Sequence, residues 1–412
     1  MDQYLPSPWT DLPASTRHWI LIGLLFVTPG AFLINSGSIA NWGSAAASII
    51  QGESVYSIVD VTSDGRPVSA YPYLPSFAIL LTVPFALSWV AFHSPIGLPL
   101  SPSTSLLSVA VTSIGAYLLL LASAGWYWQD RDATPASGGM LRADFAVIAL
   151  VAYVPLWIRV GFRGADVLVA ALCLLSVVLF DRRRFALAGI AIGVSTFKFT
   201  ALPAALVLTG VVFLEHGTDK ETRRFIGGGV ISQLPNLGYF ALHPGDLMLL
   251  IENRGAVSRH AGEGGSGFAG LFQPIGPYYE SLVFPLLLIV FVGLGIYVAT
   301  SNELLAGMAV GFIPMVFFIP AEVRYLPFGV FLLVLLAGKW GSVLGAVSTG
   351  LILTTGAYTT LSSKLGSGDR WGMLWEIGGI SKVHLLVLAV CFVGLLLSHR
   401  LPRSPIFDLS PE

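Results

Sequence analysis

The chain has 412 residues, of which 11% are charged and 55% apolar, with 22 Lys and Arg against 23 Asp and Glu and a net charge of −1. An ordinary soluble domain carries about 25% charged residues, so this composition excludes one that must cover itself in water. It also excludes the basic field that nucleic acid requires, and the two cysteines, Cys173 and Cys391, lie inside apolar stretches rather than in a disulfide or metal pattern.

The apolar residues come in blocks separated by short polar or Pro/Gly-rich breaks, and a helix needs about 20 such residues to cross a bilayer. The sequence therefore predicts an all-α, polytopic membrane protein, one domain over 1–412. The first block, Trp19 to Asn35, follows Arg17 and His18 without a small-residue cleavage site, so it reads as an anchor and first membrane helix over 18–36. Residues 37–73 are too polar to span and form a first outer loop. Within it, Ser38 to Gln51 carries small and apolar residues at helical spacing around Trp42, predicting a short interfacial helix that Gly52 ends. Further blocks begin near Leu74, Ser105, Phe145, Val167, Phe185, Ala201 and Phe225, filling 74–242. After a second outer loop at 243–281 come blocks from Leu282, Leu304, Phe328, Val343 and Val383, filling 282–400, and a short tail, 401–412.

Lys and Arg accumulate in short cytoplasmic loops. Arg182, Arg183 and Arg184 make the densest patch, and Lys220 with Arg223 and Arg224, Lys339, and His399 with Arg400 and Arg403 recur at alternate turns. These loops, and both termini, are expected inside the cell. Lys198, the 243–281 loop, Glu322 to Arg324 and Ser362 to Lys382 then face outward. Cytoplasmic termini require an even number of crossings, yet thirteen blocks are present. About twelve helices are expected to cross. One block stops short: either Leu74 to Ala91, which contains Pro84, or the short block ending at Trp157 and Arg159.

Four stretches carry a family likeness: Ala45 to Tyr56, with Ala-Ala, Ile49 and Gly52; Tyr71-Pro72-Tyr73-Leu74-Pro75; Ala188 to Thr200, AGIAIGVSTFKFT; and Glu322 to Pro327, EVRYLP. In order and outward placement they resemble the GT-C glycosyltransferases, and within them the polyprenyl-phosphate-mannose mannosyltransferases of glycosyltransferase family 87. The resemblance implies a GT-C helical bundle in the cell membrane with a large first extracytoplasmic loop. It implies transfer of mannose, or another hexose, with inversion, from dolichyl or polyprenyl phosphate to an extracytoplasmic glycan on a surface protein or a lipid. Membrane lipids, the lipid-linked donor and the glycan acceptor are the partners so implied; nucleic acid is not one.

Such a reaction needs a carboxylate to take the acceptor proton and cations to hold the phosphate as its charge grows. In the family an Asp just after the first helix is the base; that position holds Ser38 here. Asp60 is the first candidate to replace it and Glu53 the second, with Asp64 beside them; solvated surface or helix capping is the plain alternative for each. A member that no longer transfers sugar is a further possibility. Lys198, between two short apolar blocks where an unpaired ammonium is costly, is the leading phosphate cation, and snorkelling to the interface is its alternative. Arg324 suits a phosphate clamp or a pair with Glu322, and Arg163 reads as a structural partner of Asp166. The Gly-rich second outer loop gathers Arg254, Arg259, His260 and Glu263, which suits a lid over phosphate or sugar, with Arg259 on the phosphate and His260 near the acceptor. Trp42 and Tyr73 are candidate sugar platforms.

Asp130-Arg131-Asp132 spells the D-x-D metal string of nucleotide-sugar transferases, but lies in a polar loop whose side is cytoplasmic or left open by the crossing count, and reads as solvated. With no metal-ligand spacing and no Walker loop, no metal and no cofactor are expected. Gln233, Pro235 and Asn236 break an otherwise apolar helix and either kink it or serve a transport path. A lipid-linked-sugar flippase and a silent subunit of a glycosylation complex are the competing readings.

Overall fold

In the computed structural model, residues 9, 11–33, 37–57, 59–61, 67–69, 73–93, 104–131, 141–157, 164–250, 282–301, 303–318, 326–365 and 379–398 are described. The main helices follow the sequence blocks closely. They are α1 Ala14–Leu33, α2 Gly37–Gln51, α3 Pro75–His93, α4 Thr104–Gln129, α5 Arg142–Ala152, α6 Gly164–Asp181, α7 Phe185–Ser195, α8 Leu202–His216 and α9 Lys220–Leu242. Then come α10 Phe284–Ser301, α11 Leu304–Phe317, α12 Leu326–Leu336, α13 Val343–Leu365 and α14 Gly379–Leu397. Helix ends fall where local chemistry puts them: Pro75 opens α3, and Gly52 (φ +73°) and Gly217 (φ +55°) end α2 and α8 in the left-handed conformation that glycine takes without strain. The all-α expectation needs one amendment. Strands β1 Val59–Val61 and β2 Pro67–Ser69 form a small antiparallel ribbon in register Val59↔Ser69, Asp60↔Val68 and Val61↔Pro67.

Among the described residues, Ala110–Gln129, Phe199–His216 and Phe284–Ser301 are long and apolar enough to cross a membrane, and several shorter helices are as apolar. Their outer surfaces fit that reading. Val230, Ile231, Leu234 and Leu237 of α9 and Leu286, Ile289 and Val290 of α10 are all more than half exposed, an apolar area that water would penalise and lipid would not. The chain is a helical membrane protein.

The helices place two groups of polar residues at opposite ends of the bundle. At one end Arg131 donates to Asp181 at 2.5 Å and to Glu303 at 2.8 Å, Tyr127 also donates to Glu303, and Arg182 pairs with Asp130. Arg142 lies over the Trp128 ring, Phe145 stacks on Trp340, and Phe180 and Phe185 meet His216. Arg182 to Arg184, Lys220 and Lys339 belong to this end. The middle of the D-x-D string is thus a buried structural cation, whose charge two carboxylates neutralise.

The tightest seam joins α7 to α9. A Cβ at Gly189 would stand 2.0 Å from the Phe225 carbonyl oxygen, and one at Gly228 would stand 2.1 Å from that of Ala186. Small residues let membrane helices touch backbone to backbone, which here replaces the hydrophobic drive that lipid does not supply. Above the seam Gln233 donates to Gly193 O (2.8 Å) and Thr196 Oγ1 (3.2 Å), Asn236 donates to Gln233 (2.8 Å), and the Ser76 N–H donates to Asn236 (2.7 Å). The polar break in α9 therefore ties α7, α9 and the start of α3 together. Further along the chain, buried His384 of α14 is held between Tyr153 and Thr355.

Candidate functional site

At the other end of the bundle, α7 and α8 are joined by a tight turn. The N–H groups of Thr196 and Phe197 bond back to Gly193 and Val194, leaving Lys198 extended (φ −109°, ψ 113°) ahead of a 3₁₀ turn at Phe199–Ala201. Its ammonium meets Asp166 Oδ1, in the first turn of α6. Asp166 is only 4% exposed. Charged side chains this deep in an apolar bundle survive only with a counter-charge, so the two residues depend on one another. Asp166 is thus a partner of Lys198; Arg163, expected from sequence to pair with Asp166, lies outside the described residues.

The same turn is bound to the start of α3 and the residues just before it. The Leu74 N–H bonds to Phe197 O at 3.0 Å, Phe77 stacks on Phe197 at 4.5 Å, and the Tyr73 ring meets Phe197 at 6.0 Å. Tyr56 donates its hydroxyl to Tyr73 O at 2.8 Å. A buried carboxylate that the sequence reading passed over, Asp246, completes this end: it accepts from Ser54 Oγ at 2.7 Å and from Tyr239 OH at 2.5 Å, and the Tyr239 oxygen accepts the Val55 N–H at 2.9 Å. Two of these bonds fasten the turn after α2 to the C-terminal end of α9 and to the helical turn at 245–250, and the third joins those two to each other.

The structure brings Lys198, Tyr73 and Glu53 to this end. Glu53 is exposed, at the turn where its own N–H caps α2 through Ser48 O (2.8 Å). Tyr73 is 7% exposed, its ring set edge-on against the stacked Phe77 and Phe197. Asp60 is paired with Val68 in the ribbon and Trp42 lies in α2. Arg324, Arg259 and His260 lie outside the described residues. Among the described residues no group of three His, Cys, Asp or Glu side chains could hold a metal ion.

Residues 71–230 match the model of glycosyltransferase family 87. The matched stretch is less than half of the chain, but it holds Tyr73, Asp166, the Gly189 seam and Lys198. It bears out the likeness to a GT-C glycosyltransferase, and a glycosyltransferase is the activity that this family indicates. No curated protein matches the chain.

The sequence reading missed Asp166 as Lys198's partner because it began that apolar block at Val167, which left the acid in a loop. The helix begins at Gly164, so Asp166 stands inside its first turn. The usable signal was charge balance: a lysine in an apolar run needs an acid at a nearby helix end.

Proposed function

We propose that this transferase moves a hexose, mannose in the first instance, from a dolichyl or polyprenyl phosphate to an extracytoplasmic glycan acceptor, and that Lys198 holds the donor phosphate. The observation that supports this most is the part-buried Lys198–Asp166 pair inside the family-matched stretch. The donor is a phosphodiester with one negative charge. An acceptor hydroxyl attacks the anomeric carbon, the bond from that carbon to the phosphate oxygen breaks, and the proton passes to a carboxylate on the attacking side. Phosphate leaves without protonation, so a cation at the leaving group and a base at the acceptor suffice. Asp60 and Glu53 are the candidates for the base, and Glu53 has the exposure that reaching an acceptor demands.

Charge distribution supports an outward site. Arg182 to Arg184, Lys220, Arg223, Arg224 and Lys339 gather at the end opposite Lys198, as cytoplasmic loops do. The thirteen blocks reconcile with twelve crossings if α3 is the one that does not cross. Gly125 of α4 abuts Leu12 and Thr16, and Gly23 of α1 abuts Tyr117 and Leu121, so α4 runs antiparallel to α1 and starts at the end where α1 stops. α3 also starts there, beside Phe197.

The test is transfer of radiolabelled mannose from polyprenyl-phosphate mannose in membranes carrying the wild type, Asp60→Asn or Glu53→Gln, with glycolipid and glycoprotein acceptor fractions. Transfer by the wild type, and its loss in one carboxamide variant that still folds, is expected. Donor crossing of vesicles without transfer would establish the flippase reading. Neither activity from a folded protein would establish the silent subunit that Ser38 suggests.

A further inference from the structure

Transfer changes the charge on the ligand that Lys198 is proposed to hold. The lipid phosphate enters as a diester with one negative charge and leaves as a monoester with about two at neutral pH. An ammonium facing it alone would bind the product more tightly than the substrate, and turnover would stall on release. The structure does not leave that ammonium alone: Asp166 occupies it from within the bundle, at 4% exposure, anchored in the first turn of α6.

We propose that Asp166 is the release element of the donor site, a positioning residue that competes with the product phosphate for Lys198 and returns the ammonium to its resting pair as the lipid phosphate departs. This rests on the reading of Lys198 given above. A fixed negative charge beside the phosphate repels a dianion twice as strongly as a monoanion, so it biases the site against product whatever the detailed pose. Asp166 is not the acceptor base, because it shares its ammonium with the leaving phosphate, whereas inversion puts the base on the opposite face of the anomeric carbon. No bond to Asp166 forms or breaks in the reaction.

The experiment uses the full chain in lipid nanodiscs at about pH 8, where the monoester is doubly charged, with polyprenyl-phosphate mannose as donor and polyprenyl phosphate as inhibitor. In the wild type, polyprenyl phosphate is expected to bind no more tightly than the donor. Asp166→Asn is expected to lower the ratio of product Ki to donor KM about tenfold and to produce a burst before slow steady-state turnover. Asp166→Glu is expected to restore the wild-type ratio. An unchanged or raised ratio in Asp166→Asn would overturn the proposal. So would a wild type that binds polyprenyl phosphate tenfold more tightly than the donor, a measurement that needs no variant to fold. Lys198→Ala separates the two ideas: unchanged donor KM and product Ki in that variant would overturn the phosphate site itself.

Discussion

Alanine at Gly189 tests how the proposed donor site is held. The new Cβ would lie 2.0 Å from Phe225 O, 2.9 Å from Phe225 C and 3.0 Å from the Gly229 nitrogen. All three are backbone atoms, so no side chain can rotate away, and α7 must part from α9. Overpacking of this kind costs about 1–3 kcal/mol. Gly227 is the matched control: it is on α9, and a Cβ there meets nothing within 4 Å. Replacing it with alanine should gain up to about 0.5–1 kcal/mol of helix propensity. The two variants carry the same chemical change and the same gain in helix propensity, so they are expected to differ by the overpacking cost, about 1–3 kcal/mol, with Gly189→Ala the less stable. Thermal unfolding followed by tryptophan fluorescence in one detergent reads the difference, with size exclusion to check dispersity. Lys198 stands nine positions beyond Gly189 in the same segment, so Gly189→Ala should also depress transfer. If Gly189→Ala melts at or above Gly227→Ala, the close helix contact is not what holds this segment.

Other expectations follow from single contacts. Arg131→Met leaves Asp181 and Glu303 buried together without their cation, at a cost of about 3–5 kcal/mol, and should abolish recovery of folded protein from membranes. Tyr239→Phe strips a donor from Asp246 and an acceptor from the Val55 N–H, and should cost about 1–3 kcal/mol in unfolding experiments while freeing the turn that carries Glu53. Transfer should persist in excess chelator; its loss, with recovery on adding a divalent ion, would show that the reaction uses ligands not recognised among these residues.

Much of the helical framework was legible because each block is both apolar and bounded by polar, Gly or Pro residues: the starts near Phe185, Leu304 and Val343 coincide with α7, α11 and α13. Gly52 marked the end of α2 from sequence alone, since only a left-handed residue closes a helix there cheaply. The ribbon was not seen, because Val59-Asp60-Val61 and Pro67-Val68-Ser69 alternate too briefly to stand out in a polar loop. Side-chain partnerships were the least legible. Asp166 meets Lys198 across 32 positions, and Ser54 meets Asp246 across 192, through helix packing that no local pattern encodes. Asp130-Arg131-Asp132 shows the reverse case, a suggestive local string whose central residue the fold uses as a structural cation.

The central proposal is that Lys198 holds a lipid-linked sugar phosphate. The most direct test is binding of polyprenyl-phosphate mannose, with label transfer measured in the same proteoliposomes, for the wild type, Lys198→Ala and Lys198→Arg. The wild type should bind and transfer, Lys198→Ala should lose both by at least about tenfold, as removal of a charge-assisted phosphate contact predicts, and Lys198→Arg should keep part of each. Wild-type binding and transfer that Lys198→Ala leaves untouched would contradict it.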